Sequence, residues 1–202
     1  DQIISKLNKK SLKISSKIPV AAIKKSKVRD FLYQIIDNIF EKNQISKLEN
    51  ILFYDPLIPL DKERWDIYSR KIQELKKNKK IKKAGFSVYN KFEVENIIKE
   101  INPDVIQFPY NVFDQSFNNF DYLKKLKENG VILQARSIFL QGLLCSKKLS
   151  KPFNIWKDEF YNWRRFLKRN KLKSSIACID YGFQNKYLDN IIFGIRNISE
   201  LK

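Results

Sequence analysis

Alternation between two apolar patterns constrains the fold of this chain more than any other feature. Apolar residues at helical spacing predict helices at residues 28–43, 61–78, 91–101, 117–129, 157–170 and 173–185. Apolar runs too short for helices predict strands at residues 12–16, 51–54, 84–87, 105–108, 131–135 and 191–193. No hairpin turn joins two of these strands. The alternation therefore predicts an α/β fold whose parallel strands are connected by helices.

Periodicity alone leaves two arrangements open, an open doubly wound sheet and part of a closed eight-stranded barrel. The glycine-rich GxGxxG turn of doubly wound folds is absent, which weakens the first arrangement. Without an internal repeat or a Pro/Gly/Ser-rich linker, residues 1–202 are predicted to form one domain. Residues 145–155 are predicted to form a long surface loop after the fifth strand, where barrel enzymes place active-site loops.

Several residue types are informative by their absence or scarcity. The sequence has no histidine, which excludes histidine metal sites, Ser–His or Cys–His nucleophiles and histidine acid–base catalysis. It has no methionine, so Asp1 is not expected to be the start of translation. Cys145 and Cys178 are far apart without a CxxC pair, so neither a disulfide framework nor a metal site is expected. Without a leader or membrane-spanning segment, we expect a soluble protein in the reducing cytoplasm.

The charge balance is strongly basic, with 40 Lys+Arg against 22 Asp+Glu and a net charge of +18. Such a balance suits a nucleic acid, a membrane surface or a phosphorylated ligand. The lysines are spread along predicted outer helices, however, which is typical of solvated faces. A basic nucleic-acid-binding α/β protein is therefore the third hypothesis for function, and neither nucleic acid nor membrane is expected as a partner.

Four segments carry a resemblance to a known family. They are AGFSVY at residues 84–89, DVIQFPYN at 104–111, ARSIFLQGLL at 135–144 and IIFGIRNISEL at 191–201. In order and spacing they closely resemble the aldo/keto reductases. The resemblance implies a (β/α)8 TIM barrel of aldo/keto reductase type, incomplete here. The six predicted strands would be its third to eighth, and its first two β/α units would lie upstream of Asp1.

The resemblance assigns two residues to the nicotinamide ring of a cofactor. Ser87 and Gln107 are similar to the family residues that hold the carboxamide, whose acceptor and donors suit a hydroxyl and an amide side chain. Val88 stands where the family often has asparagine. The alternative is that Ser87 caps a helix and Gln107 pairs inside the barrel.

Further cofactor contacts are implied after the fifth strand. Arg136 occupies the family position that stacks on the nicotinamide, which a planar guanidinium suits; the alternative is a surface or salt-bridged arginine. Ser137, Leu140 and Gly142 lie in the loop that passes under the pyrophosphate, where small residues let the backbone approach.

The last turn resembles the family's phosphate-binding turn. Gly194, Arg196 and Asn197 precede a helix predicted to begin near Ser199, and a helix N-terminus with an arginine is an anion site. Arg196 would hold the adenosine 2′-phosphate, which favours NADP, with NAD as the alternative. A solvated loop arginine is the other interpretation.

Two catalytic positions are assigned by the resemblance. Lys17 matches the family lysine at the end of its third strand, where an ammonium lowers the pKa of the proton-donating tyrosine. Tyr54 stands at the family histidine position, where a phenol can still donate to a carbonyl oxygen. The alternative is a strand-end aromatic in a protein that has lost catalysis. The family Asp and Tyr would precede residues 1–7.

The function implied by the resemblance is NAD(P)H-dependent reduction of an aldehyde or ketone to an alcohol. The expected partner is a small-molecule carbonyl substrate, and neither the substrate's identity nor the oligomeric state is readable from the sequence. The second hypothesis is a catalytically impaired member of the family that still binds the cofactor, because Tyr54 replaces the histidine.

Overall fold

The computed structural model describes residues 13–19 and 24–194, without the side chain of Lys25. Its strands are β1 (Ser15–Ile18), β2 (Leu48–Phe53), β3 (Ile81–Ser87), β4 (Val105–Pro109), β5 (Ile132–Arg136) and β6 (Asn190–Ile191). They follow the order β1-β2-β3-β4-β5-β6 in one sheet, with parallel pairing. The predicted parallel α/β architecture is confirmed.

Within the described residues, one α-helix follows each of the first four strands and two lie between β5 and β6. The helices are α1 (Val28–Asn43), α2 (Lys62–Lys77), α3 (Lys91–Glu100), α4 (Phe120–Glu128), α5 (Lys157–Arg169) and α6 (Ser174–Phe183). Side-chain caps fix two starts: Asp61 accepts from the Arg64 amide before α2, and Asn90 accepts from the Glu93 amide before α3. Helical periodicity therefore located every described helix.

The ends of some elements differ from the prediction. The helix predicted at residues 117–129 begins only at Phe120, because Asn119 accepts from the Tyr122 amide and Phe117 instead stacks on Phe108. The first strand begins at Ser15 rather than residue 12, which lies outside the described residues, and it extends to Ile18. Apolar runs missed this shift because Ser15–Ile18 carries polar residues while pairing with β2.

Other strand limits also differ from the prediction, since β2 (Leu48–Phe53) and β3 (Ile81–Ser87) each begin three residues earlier than predicted. The last strand spans Asn190–Ile191 rather than residues 191–193, although the Ile192 amide still donates to the Ala135 carbonyl. The predicted surface loop at residues 145–155 is mostly exposed, and 3-10 segments at Leu143–Cys145 and Lys151–Trp156 shape its two ends.

Contacts divide the chain into two compact units. Unit 1 comprises Asp1–Gln107 with Glu128–Ile132, and unit 2 comprises Phe108–Lys127 with Leu133–Lys202. The interpretation of residues 1–202 as one domain stays a prediction.

In unit 1, an aromatic layer joins the sheet to α2. Phe53 packs edge-on against Tyr68, with ring centroids 5.2 Å apart, and Trp65 lies 6.4 Å from Phe86. Phe53 and Phe86 are buried and 5.7 Å apart on adjacent strands. Burial of each such ring stabilises the fold by about 1.5–3 kcal/mol. This face of the sheet is therefore covered by a helix.

An aspartate before β4 ties a strand to a helix in unit 1. Asp104 Oδ2 accepts from the Ala84 amide of β3 at 2.7 Å and pairs with Lys76 Nζ of α2 at 2.6 Å. The Asp104 carbonyl also accepts from the Ile132 amide at 2.9 Å. One residue thus satisfies backbone and side-chain donors at the amino-terminal ends of the strands.

The same arrangement recurs in unit 2, before β6. Asp189 Oδ2 accepts from the Leu133 amide of β5 at 2.8 Å, and Lys127 Nζ of α4 lies 2.6 Å from Asp189 Oδ1. We call each Lys–Asp–amide set a strand latch. In both units, the latch thus links a strand to the preceding strand's amide and to a neighbouring helix.

Removing the strand latch formed by Asp104 should destabilise unit 1. We expect Asp104→Ala to lower the free energy of unfolding by about 1–3 kcal/mol, because it leaves the Ala84 amide without its carboxylate acceptor. Asp104→Asn, which keeps an acceptor oxygen, should lose less. Asp66→Ala removes a pair that is largely exposed and should have no measurable effect. Urea unfolding of the three variants tests this order, and equal midpoints for the two alanine variants would contradict it.

Candidate functional site

Strand register places the four predicted site residues of unit 1 on one face of the sheet. Phe53 pairs with Ile18 of β1 and with Phe86 of β3. The side chains of these three residues therefore form a row on one face of the sheet. Successive side chains of a strand point to opposite faces. Lys17, Tyr54 and Ser87 each lie one residue from this row, so their side chains share the other face. Ser87 pairs in turn with Gln107. All four residues lie toward the carboxyl ends of neighbouring parallel strands, where ligands bind in α/β proteins.

Lys17 and Tyr54 are brought together. Lys17 Nζ lies 5.1 Å from the centroid of the Tyr54 ring, within range of a cation–π interaction. The Tyr54 amide donates to the Ile18 carbonyl at 3.1 Å, which fixes the residue directly after β2. Both side chains are half-buried. The pair combines an ammonium and a phenol at one point.

Ser87 and Gln107 form a second polar pair. Both are buried, and Ser87 Oγ donates to Gln107 Oε1 over a long 3.5 Å. The helix-cap alternative for Ser87 is wrong, because Asn90 caps α3. Val88 is also buried, and its amide donates to the Gln107 carbonyl at 2.8 Å. A hydroxyl and an amide side chain thus share a buried position that could satisfy another polar group.

The close spacing of β3 and β4 depends on Gly85. Gly85 pairs with Val105, and a Cβ on Gly85 would lie only 1.9 Å from the Val105 carbonyl oxygen. No side chain fits at that separation. Gly85 therefore sets the strand contact that aligns Ser87 with Gln107.

In unit 2, Arg136 is the last residue of β5, and its side chain contacts Ser137. Its Nη1 donates to Ser137 Oγ at 3.3 Å, and its carbonyl accepts from the Tyr110 amide at 3.0 Å. The side chain is half-buried rather than fully solvated. Arg136 and Ser137 are thus brought together at the end of β5.

The loop after β5 has an unusual backbone. Four of its residues have positive φ: Ser137 (60°), Leu140 (47°), Gln141 (54°) and Gly142 (87°). This left-handed region is unfavourable for non-glycine residues and is often occupied at ligand-binding loops. Turn hydrogen bonds hold it, including Leu140 N–H to Ser137 O at 2.8 Å and Gly142 N–H to Phe139 O at 2.9 Å.

Asn111 is a positioning residue that the sequence reasoning did not single out. Its side chain is buried; Nδ2 donates to the Ser137 carbonyl at 3.2 Å, and Oδ1 accepts from the amides of Phe113 and Asp114. It therefore ties the start of the loop after β5 to the segment after β4. An asparagine directly after the strand-ending Pro109-Tyr110 was the available signal.

The predicted phosphate-binding turn is only partly described. Gly194 is exposed, and a Cβ there would meet nothing within 4 Å. Arg196 and Asn197 lie outside the described residues.

Two other tyrosines, Tyr68 and Tyr181, have raised pKa values. Burial, assisted by neighbouring Tyr110, raises the pKa of Tyr181, whose ring stacks on Tyr110 at 5.2 Å. Burial also raises the pKa of Tyr68, although the Arg64 guanidinium opposes it. Both phenols stay neutral near pH 7, so neither environment favours proton transfer.

The structure defines a parallel α/β protein with polar side chains toward the carboxyl ends of its strands. The profile of the aldo/keto reductase family matches residues 2–202. The chain therefore belongs to the aldo/keto reductase family, and membership supports a general oxidoreductase function.

Solved structures agree on the fold. The chain is similar to the aldo-keto reductase AKR11C1 from Bacillus halodurans in its holo form, with a TM-score of 0.76 and 16% identity, covering 99% of this chain and 69% of that one. It is also similar to the glycerol dehydrogenase AKR11B4 from Gluconobacter oxydans, with a TM-score of 0.67 and 14% identity, covering 98% and 73%. At such identities the likeness shows the fold alone, and the six strands correspond to part of these (β/α)8 barrels. Curated proteins gave no match.

Among the described residues, no helix combines the length and apolar character needed to cross a bilayer.

Proposed function

We propose that this protein reduces an aldehyde or ketone to an alcohol with a reduced nicotinamide cofactor. The observation that carries the proposal is the alignment of Lys17, Tyr54, Ser87 and Gln107 on one face, at the carboxyl ends of adjacent strands. Function in this fold depends on the side chains at those ends. The proposal joins this alignment to the family membership.

Ser87 and Gln107 would hold the nicotinamide carboxamide. Their mutual hydrogen bond is long at 3.5 Å, and both side chains are buried, so a better-placed polar group would strengthen their hydrogen bonding. The bound cofactor supplies the hydride. The two residues would determine which face of its ring is presented.

Lys17 and Tyr54 would act on the carbonyl oxygen. The Tyr54 hydroxyl can donate a hydrogen bond to that oxygen, as the family histidine does, and thereby orient and polarise the carbonyl. The Lys17 ammonium adds positive charge beside the phenol. Neither residue is assigned as the proton donor.

The residues after β5 would bind other parts of the cofactor. Arg136 would stack on the nicotinamide. Ser137, Leu140 and Gly142 would let the backbone approach the pyrophosphate. Their left-handed backbone conformations support this role. Gly194, Arg196 and Asn197 would bind the adenosine phosphate, with NADP preferred over NAD. A cytoplasmic location with a small carbonyl substrate and no nucleic-acid partner completes the proposal.

Cofactor binding tests the proposal directly. Titration of the chain with NADPH, followed by cofactor fluorescence, should give saturable binding that is tighter than NADH binding. Ser87→Ala should weaken NADPH binding about tenfold through loss of one buried hydrogen bond. Ser69→Ala, which removes a serine hydroxyl of α2 that donates to the Asp66 carbonyl, is the matched control and should bind normally.

The outcomes separate the hypotheses. Binding that Ser87→Ala leaves unchanged would overturn the assigned nicotinamide site. Binding without turnover of any aldehyde or ketone would favour the catalytically impaired alternative, which Tyr54 in place of histidine supports. Binding of nucleic acid that falls steeply with added salt would favour the third hypothesis.

A further inference from the structure

The chain has two cysteines, 145 and 178, and the structure brings them together inside unit 2. Cys145 is exposed at the end of the 3-10 segment Leu143–Cys145, whereas Cys178 is buried on α6. Cys145 lies near enough to the Cys178 thiol to raise its pKa. An exposed cysteine therefore lies beside a buried one that is 33 residues away in sequence.

Packing around Leu144 holds the two cysteines in place. The Leu144 carbonyl accepts hydrogen bonds from Trp163 Nε1 at 3.0 Å and from Ser174 Oγ, the first residue of α6. Leu144 and Cys178 belong to the same buried cluster. The segment carrying Cys145 is thus anchored to the helix carrying Cys178, so the contact follows from the core of unit 2.

The two sulfur atoms differ in environment. Its hydrogen bond with Cys145, together with burial, raises the pKa of the Cys178 thiol well above its usual range. Cys178 is therefore protonated and shielded. Cys145 is solvent-accessible, and accessibility is what an attacking thiolate needs.

We propose that Cys145 and Cys178 form a redox modification site that closes to an intramolecular disulfide on exposure to a peroxide. The proposal is independent of the proposed function. It also revises the expectation, drawn from sequence spacing, that these cysteines form no disulfide.

The chemistry balances in two steps. The Cys145 thiolate attacks one peroxide oxygen, the O–O bond breaks, and Cys145 becomes a sulfenic acid while hydroxide leaves and takes up the thiol proton as water. The Cys178 sulfur then attacks the Cys145 sulfur, the S–O bond breaks, and the Cys178 proton leaves with the hydroxyl as a second water. Two thiols lose two electrons and two hydrogens, and hydrogen peroxide is reduced to two waters.

The test uses the full chain, reduced and then treated with hydrogen peroxide without denaturant. We expect both titratable thiols to disappear together and the mass to fall by about two hydrogens. Non-reducing tryptic digestion should link peptide 137–147 to peptide 174–186. Dithiothreitol should restore both thiols.

Single variants make the test specific. Cys178→Ser should leave Cys145 as a sulfenic acid that dimedone traps, and Cys145→Ser should leave a Cys178 thiol that reacts only after unfolding. Linkage between chains alone, or Cys145 sulfinic acid beside a retained Cys178 thiol, would overturn the proposal.

Discussion

Gly85→Ala is expected to lower the free energy of unfolding by about 3 kcal/mol, the largest stability effect we predict. The added Cβ would lie 1.9 Å from the Val105 carbonyl oxygen and 2.7 Å from its carbonyl carbon, and backbone atoms cannot swing aside as a flexible side chain can. β3 and β4 must separate, which weakens their pairing. Urea unfolding followed by tryptophan fluorescence measures the loss.

Gly194→Ala is the matched control, because a Cβ at Gly194 meets nothing within 4 Å. It should leave the unfolding midpoint unchanged. Equal midpoints for the two glycine variants would show that β3 and β4 do not approach as closely as described. If Gly85→Ala is folded but loses NADPH binding, the strand contact also governs the Ser87–Gln107 alignment.

Tyr54→Phe is expected to lower kcat about 100-fold with little change in KM or NADPH affinity. The variant keeps the ring beside Lys17 but removes the hydroxyl proposed to donate to the developing charge on the carbonyl oxygen. Loss of one such donor reduces kcat by about 10²–10³ in other enzymes. Steady-state NADPH oxidation with a panel of aldehydes gives both constants.

Tyr161→Phe, an exposed tyrosine on α5, is the control for loss of a hydroxyl and should react normally. A Tyr54→Phe variant with unchanged kcat would remove Tyr54 from the proposed chemistry. A rise in KM alone would instead indicate that the hydroxyl binds the substrate and its transition state equally.

The sequence predicted the order of elements well because helical spacing and short apolar runs are local signals. Helix α1 was predicted with its observed limits, Val28–Asn43. Strand β1 was misplaced, because Ser15, Ser16 and Lys17 do not make an apolar run, although β1 pairs residue by residue with β2. Apolar periodicity cannot detect a strand with polar residues at consecutive positions.

The site was predicted through family resemblance rather than spacing. Ser87 and Gln107 are 20 residues apart in sequence, and only strand register shows that they are paired. The role of Asn111 depends on its hydrogen bond to the Ser137 carbonyl, 26 residues away. The sequence spacing of Cys145 and Cys178 suggested no disulfide framework, and their nearness likewise depends on long-range packing around Leu144. Such long-range contacts are invisible to local patterns.

The strand latches have a consequence for how this chain can change over evolutionary time. They hold the amino-terminal ends of the strands through Asp104 and Asp189, whereas Lys17, Tyr54, Ser87 and Gln107 lie toward the carboxyl ends. The residues of the strand latches are thus separated from those that we propose for cofactor binding and catalysis. Under the proposed function, substitutions at the carboxyl ends, such as a tyrosine at position 54, would change the chemistry without removing a structural support.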